Sequence, residues 1–214
     1  MQIILVHGLW YGPRSMAFLA RRLRLTGFTV RLFAYRPTAS TVAAHARQLA
    51  RFARPSDART VHFVGHSLGG LVIAQLLAGG QWLAPGRAVL LGTPLQGSRV
   101  AGKALQLPGG SVLLGQAASD LCRGQPRPAQ GREIAMIAGC RALGLGRLFG
   151  CSGVASDGTV ELTEADAPGL GERLVLPVSH TGMLYSREVA RQVGSFLQDG
   201  RFSLPAATRG KPYS

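Results

Sequence analysis

The sequence predicts an α/β fold: a parallel sheet with helices on both faces. Three observations carry this. Short runs rich in Ile, Leu and Val alternate with segments that repeat apolar residues at helical spacing. Such alternation implies parallel strands joined by crossover helices. The runs are apolar throughout, as in Gln2-Ile3-Ile4-Leu5-Val6 and Ala88-Val89-Leu90-Leu91, which suits strands buried on both faces. The stretch from Val61 to Ala78 then reads as strand, sharp glycine turn and helix in unbroken succession.

Taken in order, residues 2–6 form the first strand, and His7 to Pro13 a loop after it. Residues 15–25 read as a helix, with Met16, Leu19 and Leu23 inward and Arg21, Arg22 and Arg24 outward. Gly27 stops it. Residues 28–33 are the second strand. Pro37-Thr38 breaks the chain, and residues 41–54 form a helix with Val42, Leu49 and Phe52 inward. Residues 60–64 are the third strand. Residues 68–78 are a helix that stops at Gly79-Gly80. Residues 87–91 are the fourth strand. Residues 99–131 are irregular, glycine-rich and hold one apolar piece, Val112-Leu113-Leu114. Residues 133–138 are a further strand, residues 139–158 a long loop, and residues 173–176 a late strand. Residues 181–197 close the chain as a helix, with Met183, Leu184, Val189, Val193 and Phe196 inward. At 214 residues the chain fits one domain. It spans residues 1–198, with residues 95–131 a small lid-like insertion and 199–214 a loose tail.

The chemistry concentrates at Gly65-His66-Ser67-Leu68-Gly69. Glycine stands two residues to either side of a serine, between a strand and a helix. That context makes the G-x-S-x-G pattern a nucleophile elbow. The glycines let strand and helix approach closely, and Ser67 projects its hydroxyl from the apex of the turn. The amino end of the following helix favours the negative charge that forms during attack.

Ligands of parallel sheets bind outside the carboxyl ends of the strands, so partners for Ser67 belong in loops that follow strands. A serine hydroxyl needs a base, usually histidine. Of the five histidines, His62 sits inside the strand that delivers Ser67, and His45 lies on a helix. His66 points out of the other side of the turn and reads as packing. His7 ends the first strand and is a competitor, though bracing its own loop suits it better. His180 follows the late strand and obeys the order nucleophile, acid, histidine; it is the predicted base. The acid then lies between Ser67 and His180. Asp157 stands in the turn Ser156-Asp157-Gly158-Thr159 after a strand and is the first choice, with Glu161 and Asp120 behind it. Glu133 opens a strand at the wrong end. Glu164, Asp166 and Glu172 flank a Pro-Gly loop and read as solvated. The oxyanion needs two backbone N–H donors. Leu68 supplies one and Leu9 the other, with Trp10 the alternative. Trp10 and Tyr11 are then free to wall a substrate site.

The net charge is +14, from 24 Lys and Arg against 10 Asp and Glu. The arginines are scattered, with no run beyond Arg21-Arg22 and no interleaved aromatics, which argues against a nucleic-acid module. At most, weak salt-screened attraction to anionic membranes is expected. Cys122, Cys140 and Cys151 make no metal spacing, and an odd count makes no disulfide framework. One bridge, Cys140–Cys151 or Cys122–Cys151, stays open, but free thiols in a reducing compartment are expected. With no leader and no apolar run of spanning length, a cytoplasmic location is expected.

These pieces together resemble the α/β-hydrolase superfamily, and within it the small bacterial lipases and esterases. The resemblance rests on Val6-His7-Gly8-Leu9, Gly65-His66-Ser67-Leu68-Gly69-Gly70, Leu91-Gly92-Thr93-Pro94 through Gly97-Ser98, Ile137-Ala138-Gly139, Asp157-Gly158-Thr159-Val160 and Ser179-His180 through Met183-Leu184. It implies the minimal form of that fold, with about six parallel strands and a small lid. It carries Ser67, Asp157 and His180 over as a triad, and Leu9 and Leu68 as oxyanion donors. The implied activity is hydrolysis of a small acyl ester, without metal or cofactor. Thioesters and amides are alternative substrates, and a silent binding protein is the rival outside enzymes. Short or medium acyl chains and no interfacial jump in activity are expected.

Overall fold

Six strands form one sheet in the order β2-β1-β3-β4-β5-β6, and every pairing is parallel. They are β1 (Gln2–Val6), β2 (Thr29–Phe33), β3 (Val61–His66), β4 (Ala88–Leu91), β5 (Ile134–Gly139) and β6 (Glu172–Leu176). The computed structural model describes residues 1–54, 58–80, 83–125, 131–143 and 155–203. Side chains alternate between the two faces with the period of two that a strand imposes. Ile3, Leu5, Val64, Val89 and Ile137 pack on one face; Ile4, Val6, Phe63, Leu90 and Met136 pack on the other. Both faces are covered, and β1, β3, β4 and β5 are buried along their whole length, whereas the edge strand β2 alternates polar Thr29 and Arg31 with Val30 and Leu32.

Helices α1 (Ala17–Arg24) and α8 (Arg187–Asp199) cover the first face. Helices α2 (Val42–Ala53) and α3 (Leu68–Ala78) cover the second. The helix expected over residues 15–25 begins as a 3₁₀ turn, Pro13–Met16, because Pro13 presets its first turn. The helix expected over residues 181–197 is broken. Gly182–Tyr185 forms a 3₁₀ turn, Ser186 is extended, and its hydroxyl caps α8 by accepting from Val189 N–H at 3.2 Å. The inward residues named for it are nonetheless all buried.

Over its described residues up to Gln125 the insertion forms short helices rather than an irregular segment. It folds as α4 (Arg99–Leu105), α5 (Gly110–Leu114), a 3₁₀ turn at Gly115–Ala117, and α6 (Ala118–Arg123). Left-handed glycines at 109, 115 and 124 separate these pieces, and each is too short to show a helical period in the sequence. Helix α7 (Leu162–Ala165) follows the Asp157 turn. The tail expected from residue 199 is tied down at its start. Phe202 is 1% exposed, packs on Phe196, and its N–H donates to Glu172. Glu164 is buried rather than solvated, accepting from the Arg99 and Glu161 amides, and burial raises its pKa. Asp166 pairs with Arg173. Cys122 and Cys140 are free thiols; Cys151, and with it both bridges considered, lies outside the described residues. Among the described residues no helix is long and apolar enough to cross a membrane.

His62 makes stability depend on pH. It is buried in β3, and its Nδ1 accepts from Arg87 N–H at 3.0 Å. Burial first, then the cations of Arg132 and Arg87, lower its pKa to about 4. The unfolded ring, near pKa 6.5, therefore binds the extra proton. This contribution is complete above the unfolded value and lost as pH falls towards 4, about 2 kcal/mol of it by pH 5. Urea midpoints at pH 7.5 and pH 5 should fall further for the wild type than for His62→Asn. Equal falls would remove His62 as a cause.

Candidate active site

The carboxyl ends of the strands gather the candidate residues. Ser67 joins β3 to α3 with φ +54° and ψ −123°, a left-handed backbone that an L-residue adopts only under constraint. The constraint is visible in the glycines. A Cβ at Gly65 would lie 2.6 Å from Gly70 N, and one at Gly69 would lie 2.3 Å from the Val6 carbonyl oxygen. One at Gly70 would lie 1.9 Å from Thr93 Oγ1. The elbow is thus wedged against β1 and the loop after β4, and Ser67 has no room to relax. Its side chain makes no capping bond to α3.

His180 follows β6 and is 6% exposed. Its Nδ1 lies 2.7 Å from Asp157 Oδ2, and its backbone N–H donates to the Asp157 carbonyl at 2.9 Å. Asp157 is 1% exposed. Its Oδ1 accepts from the Thr159 and Val160 amides at 2.9 and 2.7 Å. One carboxylate oxygen is thus held by the turn and the other faces the imidazole. Gly158 permits this turn with φ +93°, where a Cβ would strike the backbone of Leu143. Gly92 at the end of β4 leaves the space the pair occupies: a Cβ there would lie 2.8 Å from Asp157 Oδ2 and 3.1 Å from His180 Nδ1.

The rival acids are engaged elsewhere. Glu161 pairs with Arg99 at 2.8 Å and forms a reciprocal capping box with Glu164. Asp120 accepts from Val42 N–H at 2.8 Å, at the first turn of α2. Glu133 pairs with Arg87. The rival base His7 is buried, stacks on Tyr35 with ring centroids 4.5 Å apart, and bonds through Nδ1 to the Gly8 carbonyl. That is the bracing role expected of it.

Ser67 and His180 line one cleft with Leu9, Trp10, Tyr11 and Pro94. Ala101 and Ala104 of α4, with Leu114 and Leu121, line its apolar side. The cleft holds about 780 Å³ of empty space, its open mouth included. Ser67 Oγ and His180 Nε2 make no direct hydrogen bond to each other here. In catalytic sites without substrate this contact is often long and tightens on binding. Leu9 and Leu68 sit beside Ser67 on β1's loop and at the first position of α3. Among the described residues their amides have no acceptor in the protein. Trp10 takes φ +59°, and its indole N–H donates to the Leu113 carbonyl at 2.9 Å. Tyr11 Oη lies 2.7 Å from Thr181 Oγ1. Neither bond is visible in the sequence, which suggests only apolar wall residues. His66 is packed as expected, but its Nε2 also lies 3.0 Å from the His180 carbonyl oxygen. Among the described residues no group of three or more His, Cys, Asp and Glu side chains could hold a metal ion.

A parallel sheet whose central strand ends in a strained serine turn, followed directly by a helix, is the architecture of the α/β hydrolases. A family model described as the alpha/beta hydrolase family matches residues 3–173, and the chain belongs to that family. Among solved structures the chain is similar to the mature lipase BlEst2 of Bacillus licheniformis. The TM-score is 0.68 at 21% identity, over 92% of this chain and 90% of that one. The metagenomic carboxyl esterase MGS0156 gives 0.69 at 16% identity, over 84% and 64%. The phospholipase PlaB of Legionella pneumophila, in complex with thio-NAD, gives 0.65 at 16% identity, over 93% and 62%. At these identities the likeness is one of fold. Comparison with curated proteins finds no match.

Proposed function

We propose that the protein is a serine esterase that cleaves small acyl esters through an acyl-enzyme on Ser67. The observation that carries this is the buried His180–Asp157 pair, whose histidine lines the same apolar cleft as the strained serine. Asp157 holds the proton on His180 Nδ1, which leaves the Nε2 lone pair for Ser67. Ser67 Oγ attacks the acyl carbon as its proton passes to Nε2. The carbonyl oxygen becomes an oxyanion facing the amides of Leu9 and Leu68, at the amino end of α3. Collapse breaks the bond to the alcohol, which leaves with the proton from Nε2. Water then gives a proton to Nε2 and adds to the acyl carbon. Breaking the bond to Ser67 Oγ releases the acid and restores the hydroxyl. None of these steps calls for a metal or cofactor.

The small side chains of Ala101 and Ala104 provide room for an acyl chain, and Trp10 and Tyr11 wall the mouth. Ties along its length hold the insertion down, among them Trp10 to Leu113, Asp120 to the Val42 amide, Gln116 N–H to the Thr38 carbonyl, and Arg99 to Glu161 and Glu164. A cap held in this way has little freedom to open at a lipid surface. The free thiols of Cys122 and Cys140 fit work in a reducing, cytoplasmic setting. The test is hydrolysis of p-nitrophenyl esters of graded chain length, with labelling by a fluorophosphonate. Ser67 should label, and activity should peak at short or medium chains with no jump at the aggregation threshold. An unlabelled, inactive protein would make it a binding protein. A sharp rise on aggregated long-chain esters would make it a lipase.

A further inference from the structure

We propose that His66 is a positioning residue that holds the main chain of His180 so that its imidazole faces Ser67. His180 has three polar anchors. Two come from Asp157: the carboxylate on Nδ1 at 2.7 Å and the carbonyl on the backbone N–H at 2.9 Å. The third is His66 Nε2, 3.0 Å from the His180 carbonyl oxygen. Asp157 stands on the loop after β5, a segment separate in sequence from the elbow. His66 is the residue next to Ser67 in the elbow. Its bond therefore ties the segment carrying the base directly to the turn carrying the nucleophile.

A carbonyl only accepts, so His66 Nε2 must carry the hydrogen and Nδ1 the lone pair. That Nδ1 is buried and has no partner. Burial, reinforced by the nearby His180 ring, keeps the His66 ring neutral. An orphaned buried nitrogen costs stability, and an apolar side chain of similar size would avoid that cost. Packing alone therefore does not account for a histidine here; the donor at Nε2 does. The surroundings fit a clamp. The His66 and His180 rings lie 4.6 Å apart, and Tyr11 sets its edge on His66 at 5.6 Å. The Tyr11 hydroxyl meets Thr181, the residue after His180. Displacing a catalytic group by about 1 Å can cost up to about 100-fold in rate.

This inference rests on the ester-hydrolase reading, and the experiment separates the two. Kinetics on a short-chain p-nitrophenyl ester are compared for wild type, Ser67→Ala, His66→Met and His66→Gln. His66→Met fills the space without a donor. Its kcat should fall about 10- to 100-fold with KM nearly unchanged. His66→Gln places an amide N–H at similar reach and should recover most of that loss. A second measurement needs no variant. In ¹⁵N-histidine-labelled wild type, His66 should appear as the neutral Nε2–H tautomer from pH 5 to pH 8. Wild-type kcat in His66→Met, equal losses in both variants, or an Nδ1–H or charged His66 each overturns the positioning role. Wild-type activity in Ser67→Ala overturns the ester-hydrolase reading itself.

Discussion

Ser67→Ala should leave a folded protein whose ester hydrolysis is down on the order of 10⁶-fold, as when the serine of a hydrolytic triad is removed. The fold should survive because the hydroxyl caps no helix and, among the described residues, makes no hydrogen bond. Alanine also meets the same backbone strain at φ +54° that serine already bears. His180→Ala should lose about as much activity, since the base and nucleophile act as a unit. It should differ in stability. Removing the imidazole strips a buried partner from Asp157 Oδ2, at a cost of about 1–3 kcal/mol. The double variant should be no less active than either single one. Turnover near wild type in Ser67→Ala or His180→Ala would sink the assignment, as would additive losses in the double variant.

Much of this site can be read in the sequence, because its parts are local. The elbow needs glycine at 65 and 69 for contacts within ten residues and against β1, and those glycines stand in the chain. The strands are legible because burial on both faces leaves continuous runs such as Ile3 to Val6. His180 and Asp157 follow from chain order and from loops after strands. What escapes reading is set by contacts distant in sequence. Nothing near Glu164 announces that its carboxylate turns inward to the Arg99 amide, 65 residues away. The three short helices of the insertion lack the length to show a period, and their glycines suggest only loop. His66 reads as packing because its partner is a main-chain carbonyl 114 residues later. Phe202 stands in a segment without periodicity, yet one aromatic ring fills a gap beside Phe196 and fixes it. Local propensity cannot register such pairings.

Asp157→Asn should keep the fold and lose about 10⁴-fold in kcat, the scale seen when a triad aspartate becomes asparagine. The geometry explains why so small a change is so costly. Oδ1 accepts two backbone N–H bonds from Thr159 and Val160. An asparagine oxygen is needed there to satisfy both donors. That requirement turns the amide nitrogen toward His180. An amide N–H cannot accept, so His180 Nδ1 must, and the ring proton moves to Nε2. Nε2 then has no lone pair for the Ser67 proton. The loss is one of tautomer, not of structure: the contact stays hydrogen-bonded, and the melting temperature should change little. Glu161→Gln separates the alternatives. It removes the charge of a buried carboxylate that meets the exposed Arg99 guanidinium, keeps a side-chain oxygen for the capping box with Glu164, and should leave kcat nearly intact. If instead Asp157→Asn is nearly silent and Glu161→Gln is inactive, Glu161 is the acid. The measurement is kcat on one short-chain ester for both variants, with thermal melts to show that each is folded.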